Sequence, residues 1–336
     1  MNRPKTRLSD LAKIAGVSVA TASRALSGHP GISEQTKQII WKLAREQGYP
    51  LKRSMSVGPG TAEATIAIII PRPQGRESRL SDPVLLGLLA GVGDAARDRG
   101  CDVLLSHFAP SRLEDLEQAM NTSSAAGFIC MGQSSLHNDF NQLAKSESRF
   151  VVWGAEFRDQ AYCSVGSDNP KGGLRATQHL IRLGRRRILF LGEIEAPEAA
   201  QRYAGYREAL IRADLPITDD LLQPAHFEVE SAEAAIDSIL RRGAKFDGIV
   251  AASDLIALGA IRALHRAGVT VPDDVAVVGY DNVALARYSR PALTTIAQDT
   301  GRAGRLLVSK LLDANGAPAT SERVPTDLIV RESCGA

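Results

Sequence analysis

The chain has 336 residues, of which 44% are hydrophobic and 23% are charged. This length corresponds to two or three domains with a large core, and the composition excludes a disordered or collagen-like chain. No apolar run approaches the roughly 20 residues needed to cross a bilayer. The first residues are basic but lack the apolar stretch of a secretory signal. We therefore expect a globular protein that stays in the cytoplasm and does not enter a membrane.

The cysteines of the chain have no C-x-x-C spacing and no close pairing. A disulfide framework and a zinc site are therefore not predicted, and we expect reduced thiols. The four residues are Cys101, Cys130, Cys163 and Cys334.

Charge is distributed unevenly along the chain. Residues 1–57 hold ten Lys and Arg against three acids, a net charge of +7, whereas the rest holds 30 basic and 35 acidic residues, a net charge of −5. A basic module joined to a mildly acidic body is typical of a protein that binds a polyanion at one end and does something else at the other. An ordinary basic surface is the alternative.

The basic segment predicts three short helices with a shared core. Apolar residues recur at helical spacing up to Gly16, which can end a helix in the left-handed conformation. Ser18 is a good N-cap for a second helix through Leu26, and Ser33 for a third. Two short helices joined by a turn that contains glycine form a helix-turn-helix. The residues expected to be buried are Ala22 and Ala25 in the second helix, and Ile39, Ile40, Leu43 and Ala44 in the third.

Three stretches of this segment resemble the amino-terminal signature of the lactose/galactose repressor (LacI/GalR) family. They are Leu8-Ser-Asp-Leu-Ala-Lys-Ile-Ala-Gly-Val-Ser-Val-Ala-Thr-Ala-Ser-Arg-Ala-Leu26, Ile32-Ser-Glu-Gln-Thr36 and Gly48-Tyr-Pro50. The resemblance implies an all-α helix-turn-helix DNA-binding domain over residues 1–50, with the second helix in the major groove.

In that placement the second helix supplies the residues that contact DNA. Base contacts are then expected from Val19, Ala20 and Arg24, and phosphate contacts from Ser18, Thr21 and Ser23. The residue types fit these roles, because arginine can donate two hydrogen bonds to guanine, small apolar residues suit thymine methyls, and hydroxyls suit phosphate oxygens.

The linker over residues 51–61 departs from the family pattern. Leu51-Lys-Arg-Ser-Met55 resembles a shortened form of the family's hinge motif, and the resemblance then places Met55 as the side chain that wedges into the minor groove. The alternative is a plain flexible tether, since Gly58-Pro59-Gly60 is poor helix material.

From residue 62 to the end, short apolar runs alternate with longer helical patterns. This alternation predicts parallel sheets covered on both faces, and about 275 residues suffice for two such subdomains. The predicted strands are Thr65-Ile70, Asp102-Ser106, Gly127-Met131, Phe150-Trp153, Arg187-Leu191, Gly248-Ala252 and Val275-Val278. The predicted helices are Leu85-Arg99, Leu113-Ser123, Leu174-Leu183, Tyr203-Ala213, Ala232-Arg241 and Leu255-Ala267.

The body also carries matches to the same family. They are Gly166-Ser-Asp-Asn169, His179-Leu-x-x-Leu-Gly184, Arg202-x-x-Gly-Tyr206, Ser253-Asp-Leu-Ile-Ala-Leu-Gly259, Val271-Pro-Asp-Asp-Val-Ala-Val-Val-Gly-Tyr-Asp281 and Leu293-Thr-Thr-Ile-x-Gln-Asp299. The resemblance implies an α/β periplasmic-binding-protein-like core over residues 62–336. Its two doubly wound parallel-sheet subdomains are then joined by three crossovers, with a ligand cleft between the lobes.

Open parallel sheets bind ligands at the carboxyl ends of their strands. By family position Asp281 and Arg202 are expected to contact effector hydroxyls in the cleft. Asp82 of the first lobe, Ser253 and Trp153 are further candidates, Trp153 by stacking on a sugar ring. A helix cap, a salt bridge or core packing is the alternative role for each.

Two other classes of protein share such sheets. An enzyme finds no support, because the chain has no G-x-G-x-x-G after the first strand, no phosphate-binding loop, no H-E-x-x-H and no G-x-S-x-G. A transporter's extracytoplasmic binding protein is expected to carry a signal peptide in place of a basic helix-turn-helix.

The sequence therefore predicts a transcriptional regulator, expected to be a repressor of carbohydrate-metabolism genes. We expect a homodimer on a pseudo-palindromic double-stranded operator, controlled by a sugar or sugar derivative. No catalytic residue, cofactor or metal site is expected.

Overall fold

The structure is a computed structural model that describes residues 8–26, 29, 31–46, 64–71, 81–313 and 319–336. The chain divides into two compact units, residues 1–63 and 64–336. Met55 and the remainder of the linker lie outside the described residues. In the part that is described, no helix has both the length and the apolar character needed to cross a membrane.

The first unit contains helices α1 (Leu8–Ile14), α2 (Val19–Leu26) and α3 (Glu34–Glu46). Both predicted N-caps are confirmed. The Ser18 hydroxyl accepts a hydrogen bond from the Thr21 amide at 3.0 Å, and the Ser33 hydroxyl accepts one from the Thr36 amide at 3.2 Å. These bonds satisfy amides that have no partner within the helix. The side chains buried in this unit are Leu11, Ala12, Ala22, Ala25, Ile40 and Ala44.

The predicted burial of one residue in this unit is wrong. Ile39 is 51% exposed, whereas its neighbour Ile40 is fully buried. Consecutive residues on a helix point about 100° apart, so the buried face is set by Ile40 and Ala44 at i and i+4. Ile39 lies just off that face.

The second unit consists of two lobes, each built on a six-stranded sheet. The first sheet has the order β11-β5-β4-β3-β1-β2, and all its strand pairs are parallel. Its strands are β1 (Ala64–Ile69), β2 (Cys101–Leu105), β3 (Gly127–Met131), β4 (Phe150–Trp153), β5 (Ser164–Ser167) and β11 (Glu322–Val324).

Helices cover both faces of this first sheet, as the sequence predicts for a doubly wound fold. Alternate residues of β1 enter two different cores, Ile66 and Ile68 on one face, Ala67 and Ile69 on the other. The helices of the first lobe are α4 (Pro83–Asp98), α5 (Leu113–Thr122), α6 (His137–Leu143) and α12 (Thr300–Leu312).

The second sheet has the order β12-β10-β9-β8-β6-β7, with only the β10–β12 pair antiparallel. Its strands are β6 (Ile188–Leu191), β7 (Leu222–Gln223), β8 (Gly248–Ala251), β9 (Ala276–Asp281), β10 (Thr294–Gln298) and β12 (Thr326–Ile329). Its helices are α7 (Asn169–Arg182), α8 (Pro197–Arg212), α9 (Val229–Arg241), α10 (Asp254–Arg266) and α11 (Ala284–Tyr288).

The chain crosses between the lobes three times, as the family resemblance implies. Strand β5 of the first sheet leads into α7, which packs on α8 and on strands of the second sheet. Strand β10 of the second sheet leads into α12, which packs on α4 of the first lobe. The third crossing joins β11 to β12. The predicted fold class is confirmed.

Helices α7 and α8 approach each other through glycines. A Cβ on Gly173 of α7 would lie 2.0 Å from the carbonyl oxygen of Arg202, and a Cβ on Gly205 of α8 would lie 2.0 Å from that of Pro170. Backbone atoms on both sides fill the space, so no side chain can move aside. The glycines therefore fix how close α8, and with it Arg202, lies to α7.

We predict that Gly173→Ala lowers the free energy of unfolding by about 1–3 kcal/mol, because a methyl group must push two helices apart. Gly93→Ala is the matched control, since Gly93 of α4 has no atom within 4 Å of its Cβ position. That control should gain about 0.5–1 kcal/mol from the helix propensity of alanine. Urea denaturation measures both changes, and equal effects would contradict the proposed contact.

Candidate functional site

Five polar or aromatic side chains of the second lobe meet where its strands end. Asp281 is the last residue of β9 and Gln298 the last of β10, while Asn169 begins α7 and Arg202 lies in the middle of α8. Tyr280 precedes Asp281. Carboxyl ends of parallel strands meet at one edge of a sheet, which is why residues so far apart in sequence come together here. We call Asn169, Arg202, Tyr280, Asp281 and Gln298 the polar cluster.

Arg202 is the centre of this cluster, and it is only 5% exposed. Its Nε donates to Asn169 Oδ1 at 2.8 Å, and its guanidinium also donates to the carbonyl of Ala252. The guanidinium carbon lies 3.7 Å from the centroid of the Tyr280 ring, which is cation–π geometry. A guanidinium nitrogen is 3.8 Å from Asp281 Oδ1. These contacts hold the cation in one orientation.

Asp281 has one side-chain hydrogen bond and an unusual backbone conformation. Its Oδ1 accepts a hydrogen bond from Gln298 Nε2 at 2.6 Å, and the backbone has φ +119° at Asp281 and φ +59° at Asn282. Positive φ is strained for residues other than glycine and is retained where the surrounding structure enforces it. Burial raises the pKa of Asp281 well above its usual range, and this effect exceeds the opposite effect of Arg202.

Asp254 lies behind the polar cluster at the start of α10. It is fully buried, and its carboxylate accepts from the Val283 amide at 2.8 Å and from the Thr295 hydroxyl at 2.5 Å. Burial raises the pKa of Asp254 to about 7 despite these bonds. The bonds tie the segment that follows Asp281 to α10, so Asp254 positions Asp281 from behind.

Two polar atoms in the cluster are buried without a hydrogen-bond partner among the described residues. They are Asn169 Nδ2, on a residue that is fully buried, and Gln298 Oε1. Each belongs to a side chain whose other polar atom binds Arg202 or Asp281. A donor and an acceptor left over in a fixed cluster are suited to bind a polar ligand.

The residues that the sequence predicts for the cleft have different surroundings in the structure. The fold brings Arg202 and Asp281 together, whereas Asp82 caps α4, its Oδ1 accepting from the Val84 amide at 2.8 Å and the Leu85 amide at 3.1 Å. The buried Ser253 caps α10 by accepting from the Ile256 amide at 3.2 Å. Trp153 ends β4 and is partly buried against the core of the first lobe.

Three members of the polar cluster had no predicted role. Asn169, Tyr280 and Gln298 all lie within the matched motifs Gly166–Asn169, Val271–Asp281 and Leu293–Asp299. The signal that could have identified them is their position at or next to the end of a matched motif.

The predicted DNA contacts within residues 18–24 lie on α2 or, for Ser18, at its N-cap. Val19 is 49% exposed, and Ala20, Ser23 and Arg24 are also exposed, while Ala22 and Ala25 on the opposite face are buried. The Ser18 and Thr21 hydroxyls lie 2.8 Å apart at the start of the helix. The helix therefore presents small side chains and one arginine on its outer face.

Comparisons with known proteins agree with both units. Residues 7–50 match the lacI family of bacterial regulatory proteins, and residues 177–334 match the periplasmic binding protein-like domain. The HTH-type transcriptional regulator CelR of Thermobifida fusca is 31% identical over 341 residues, which cover 98% of this chain and 99% of CelR. This chain belongs to the lacI family.

Solved structures of the family share the fold along the whole chain. The CelR–cellobiose complex aligns with a TM-score of 0.70 at 30% identity, covering 98% of this chain and all of that one. The lac repressor dimer bound to operator and the anti-inducer ONPF aligns with a TM-score of 0.74 at 23% identity, covering 99% and 100%. The predicted family and its two-lobed core are confirmed.

The buried carboxyl groups predict how stability depends on pH. Asp254, Asp281 and Glu198 have raised pKa values in the folded protein, each mainly through burial, so the folded state keeps protons that the unfolded chain loses near pH 4. Stability from these groups is present at low pH and lost as the pH rises towards 7. We predict that the free energy of unfolding falls by about 2 kcal/mol or more between pH 4.5 and 7.5.

Carboxyl groups with lowered pKa values, such as Asp313 at about 2, act below this range. Burial lowers the pKa of His179, which makes stability rise with pH inside this range, but it is one group against three. Asp281→Asn should flatten the slope, because it removes one of the three groups. Asp102→Asn, on the exposed edge of β2, is the control and should leave the slope unchanged. Denaturant titrations across the pH range decide the matter, and a stability that rises from pH 4.5 to 7.5 would refute the assignment.

Proposed function

We propose that this chain is a DNA-binding transcriptional repressor of carbohydrate-metabolism genes in the cytoplasm, whose affinity for operator DNA is set by a sugar bound between its lobes. The observation that carries the proposal is the polar cluster with unpaired polar atoms, in a chain whose other unit is a basic helix-turn-helix. The cluster has binding groups held rigidly at the carboxyl ends of strands. No catalytic role is assigned to any residue.

Residues 1–50 form the proposed DNA-binding domain, 51–61 the hinge and 62–336 the effector-binding and dimerisation domain. On α2, Arg24 is suited to bind a guanine edge, and Val19 and Ala20 to contact thymine methyls. Hydroxyls of Ser18, Thr21 and Ser23 are suited to donate to phosphates near the helix N-terminus. Insertion of Met55 into the minor groove remains a prediction.

We predict that Arg24→Ala weakens operator binding by about 1–3 kcal/mol and random-sequence binding much less, because a bond to a base edge carries sequence information. Lys13→Ala is the control, since Lys13 lies on the exposed surface of α1 and carries the same charge. It should reduce both affinities by similar, smaller amounts. Fluorescence anisotropy with both DNAs measures the ratio, and equal losses for Arg24→Ala on both would rule out base reading.

The proposed effector site is the polar cluster with Asp82 facing it from the first lobe. Burial is the main cause of the raised pKa of Asp281, and the charges of Asp254 and of Asp82 on the first lobe add to it. Arg202 and Asp281 offer a donor and an acceptor to neighbouring hydroxyls of one sugar. Trp153 and Ser253 complete the proposed site. CelR, whose structure was solved with cellobiose, provides the precedent for the ligand class.

A ligand that contacts both lobes stabilises one arrangement of the lobes over another, and it changes DNA affinity only by that difference. We predict that Asp281→Asn abolishes the effect of the effector on operator affinity while operator binding without effector stays near the wild-type value. The probe is the sugar that most raises the unfolding temperature, in a screen that includes cellobiose. Asp102→Asn is the control, and a full wild-type response in Asp281→Asn would show that Asp281 has only a structural role.

A homodimer is part of the proposal. Exposed apolar side chains lie on the edge strand β2 and on the neighbouring helix α4 of the first lobe, and on α11 of the second. Clustered exposed apolar residues of this kind are typical of protein interfaces. Two α2 helices related by a two-fold axis would then read two half-sites of a pseudo-palindrome. The residues are Leu86, Val103, Leu104, Leu105, Leu285 and Tyr288.

A further inference from the structure

Each of the three crossovers between the lobes carries a buried polar atom that has no hydrogen-bond partner among the described residues. These atoms are Nδ2 of Asn169, which begins α7, Oε1 of Gln298, which ends β10, and Oγ1 of Thr326, which begins β12. Glu233 Oε1 also lacks a hydrogen bond, but it lies 3.2 Å from Arg262 Nε in an ion pair. In the described part of the chain, the unpaired atoms without an ionic partner thus coincide with the segments that join the lobes.

Gln298 and Thr326 are neighbours across two strands. They lie directly opposite each other in the antiparallel pair of β10 and β12, so their side chains point to the same face of the sheet, with Cβ atoms about 4.5–5.5 Å apart. Thr326 is only 2% exposed. The Gln298 carbonyl is an acceptor and the Thr326 hydroxyl can donate, yet no hydrogen bond joins them. The space between them is therefore suited to a small polar group.

The start of α7 covers the same face of the sheet. Ile296 lies two residues before Gln298 and shares its face, and it is the partner of Tyr280 in the parallel pair of β10 and β9. A Cβ on Gly172 of α7 would lie 2.5 Å from the Tyr280 side chain. Gly172 is three residues after Asn169, so the first turn of α7 packs close to the end of β10.

Hydrogen bonds also join the first crossover to the third. The Asp168 amide donates to the Val324 carbonyl at 3.0 Å, and the Arg175 guanidinium of α7 donates to the Thr326 carbonyl. These bonds hold the start of β12 beside the first two turns of α7, where Asn169 is fully buried. The three unpaired atoms therefore border one region, between α7 and the edge of the second sheet.

The unpaired atoms require an occupant that both accepts and donates hydrogen bonds. Asn169 Nδ2 can only donate, Gln298 Oε1 can only accept, and the Thr326 hydroxyl can do either. A water molecule or an alcohol meets these requirements, whereas an ammonium group cannot accept and an ionised carboxylate cannot donate. Buried water typically makes about three hydrogen bonds to groups that are otherwise unsatisfied.

We propose that the three crossovers bind a hydroxylic oxygen between them, and that Thr326 and Gln298 share it. Water supplies this oxygen in the effector-free protein. A hydroxyl of a bound sugar replaces the water, because Gln298 also donates to Asp281 of the polar cluster. The oxygen thus lies at the hinge between the lobes as well as beside the ligand site. The sugar as a source of the oxygen rests on the proposed function, whereas the water does not.

The stability of Thr326→Val tests whether the oxygen is bound. This substitution keeps the shape of the side chain and removes its hydroxyl. We expect the unfolding temperature of the full chain to fall by about 2–4 °C, because a hydrogen bond is lost. An unchanged or raised temperature would mean that the hydroxyl is buried without any partner, since removing such a group relieves its desolvation cost, and it would overturn the proposal.

A crystal structure of the effector-free wild-type protein tests the same point without a variant. We expect an ordered water within about 3.2 Å of both Thr326 Oγ1 and Gln298 Oε1. A direct hydrogen bond between these two side chains, or a gap without water, overturns the proposal even if Thr326→Val fails to fold.

Dissociation constants for cellobiose distinguish the two sources of the oxygen. If a sugar hydroxyl binds Thr326, Thr326→Val raises the dissociation constant about three- to tenfold, and Thr326→Ser, which keeps the hydroxyl, stays within about twofold of wild type. Thr177→Val is the matched control, since Thr177 is a buried threonine of α7 whose hydroxyl already donates to the Gly173 carbonyl at 2.8 Å. It should leave the dissociation constant unchanged.

The outcomes separate this inference from the proposed function. A dissociation constant that Thr326→Val leaves unchanged assigns the oxygen to water alone, and equal losses in Thr326→Val and Thr177→Val overturn the sugar contact. If neither cellobiose nor any sugar of the thermal screen binds while operator binding is intact, the sugar effector of the proposed function is overturned. The bound water is then still decided by the unfolding temperature and by the crystal structure.

Discussion

The buried guanidinium of Arg202 is the constraint on which the effector half of this protein depends. An unpaired cation is expensive to remove from water, so each of its contacts must be in place at once. Its partners come from three different parts of the second lobe: Asn169 from the start of α7, the Ala252 carbonyl from the residue after β8, and Tyr280 and Asp281 from β9. The lobe must therefore be correctly assembled before Arg202 can be buried, and the site that results is rigid.

The same residue lies beside contacts that join the two lobes. Tyr280, whose ring lies under the guanidinium, has its hydroxyl 2.7 Å from the hydroxyl of Ser167. Ser167 ends β5, the strand of the first sheet that leads into the first crossover. Gln201, next to Arg202, also donates to the Glu156 carbonyl of the first lobe at 2.8 Å. A ligand that shifts Arg202 or Tyr280 thus acts on groups that join the lobes, and a two-state arrangement of lobes can respond to it.

The sequence predicted the elements whose hydrophobic patterns are strong. Strands β3 and β4 have the predicted bounds, and the other predicted strands differ by one to three residues at their ends. Strand β5 was missed because Ser164, Gly166 and Ser167 are small or polar, although the strand is buried by the layers on either side. Helix α12 was missed because Gly301 and Gly304 weaken its pattern, while Gly304 is what allows close approach to Gly91 of α4. Both elements form because of tertiary packing, which cannot be seen in a single sequence.

The candidate site was only partly predictable for a similar reason. Arg202 and Asp281 were found through motif position, but whether Asp82 and Ser253 bind a ligand or cap a helix depends on backbone amides that no motif reveals.

The two units also differ in the sign of the charge that they present to a ligand. The first 57 residues carry +7 and are suited to a polyanion, whereas the remaining residues carry −5. A phosphate-rich chain is therefore attracted to the helix-turn-helix and not to the body. In the proposed function the small molecule binds in the body, so it acts on DNA binding only through the protein between the two sites. This separation is what an effector-controlled switch requires, since direct competition between DNA and effector for one surface would need no second site.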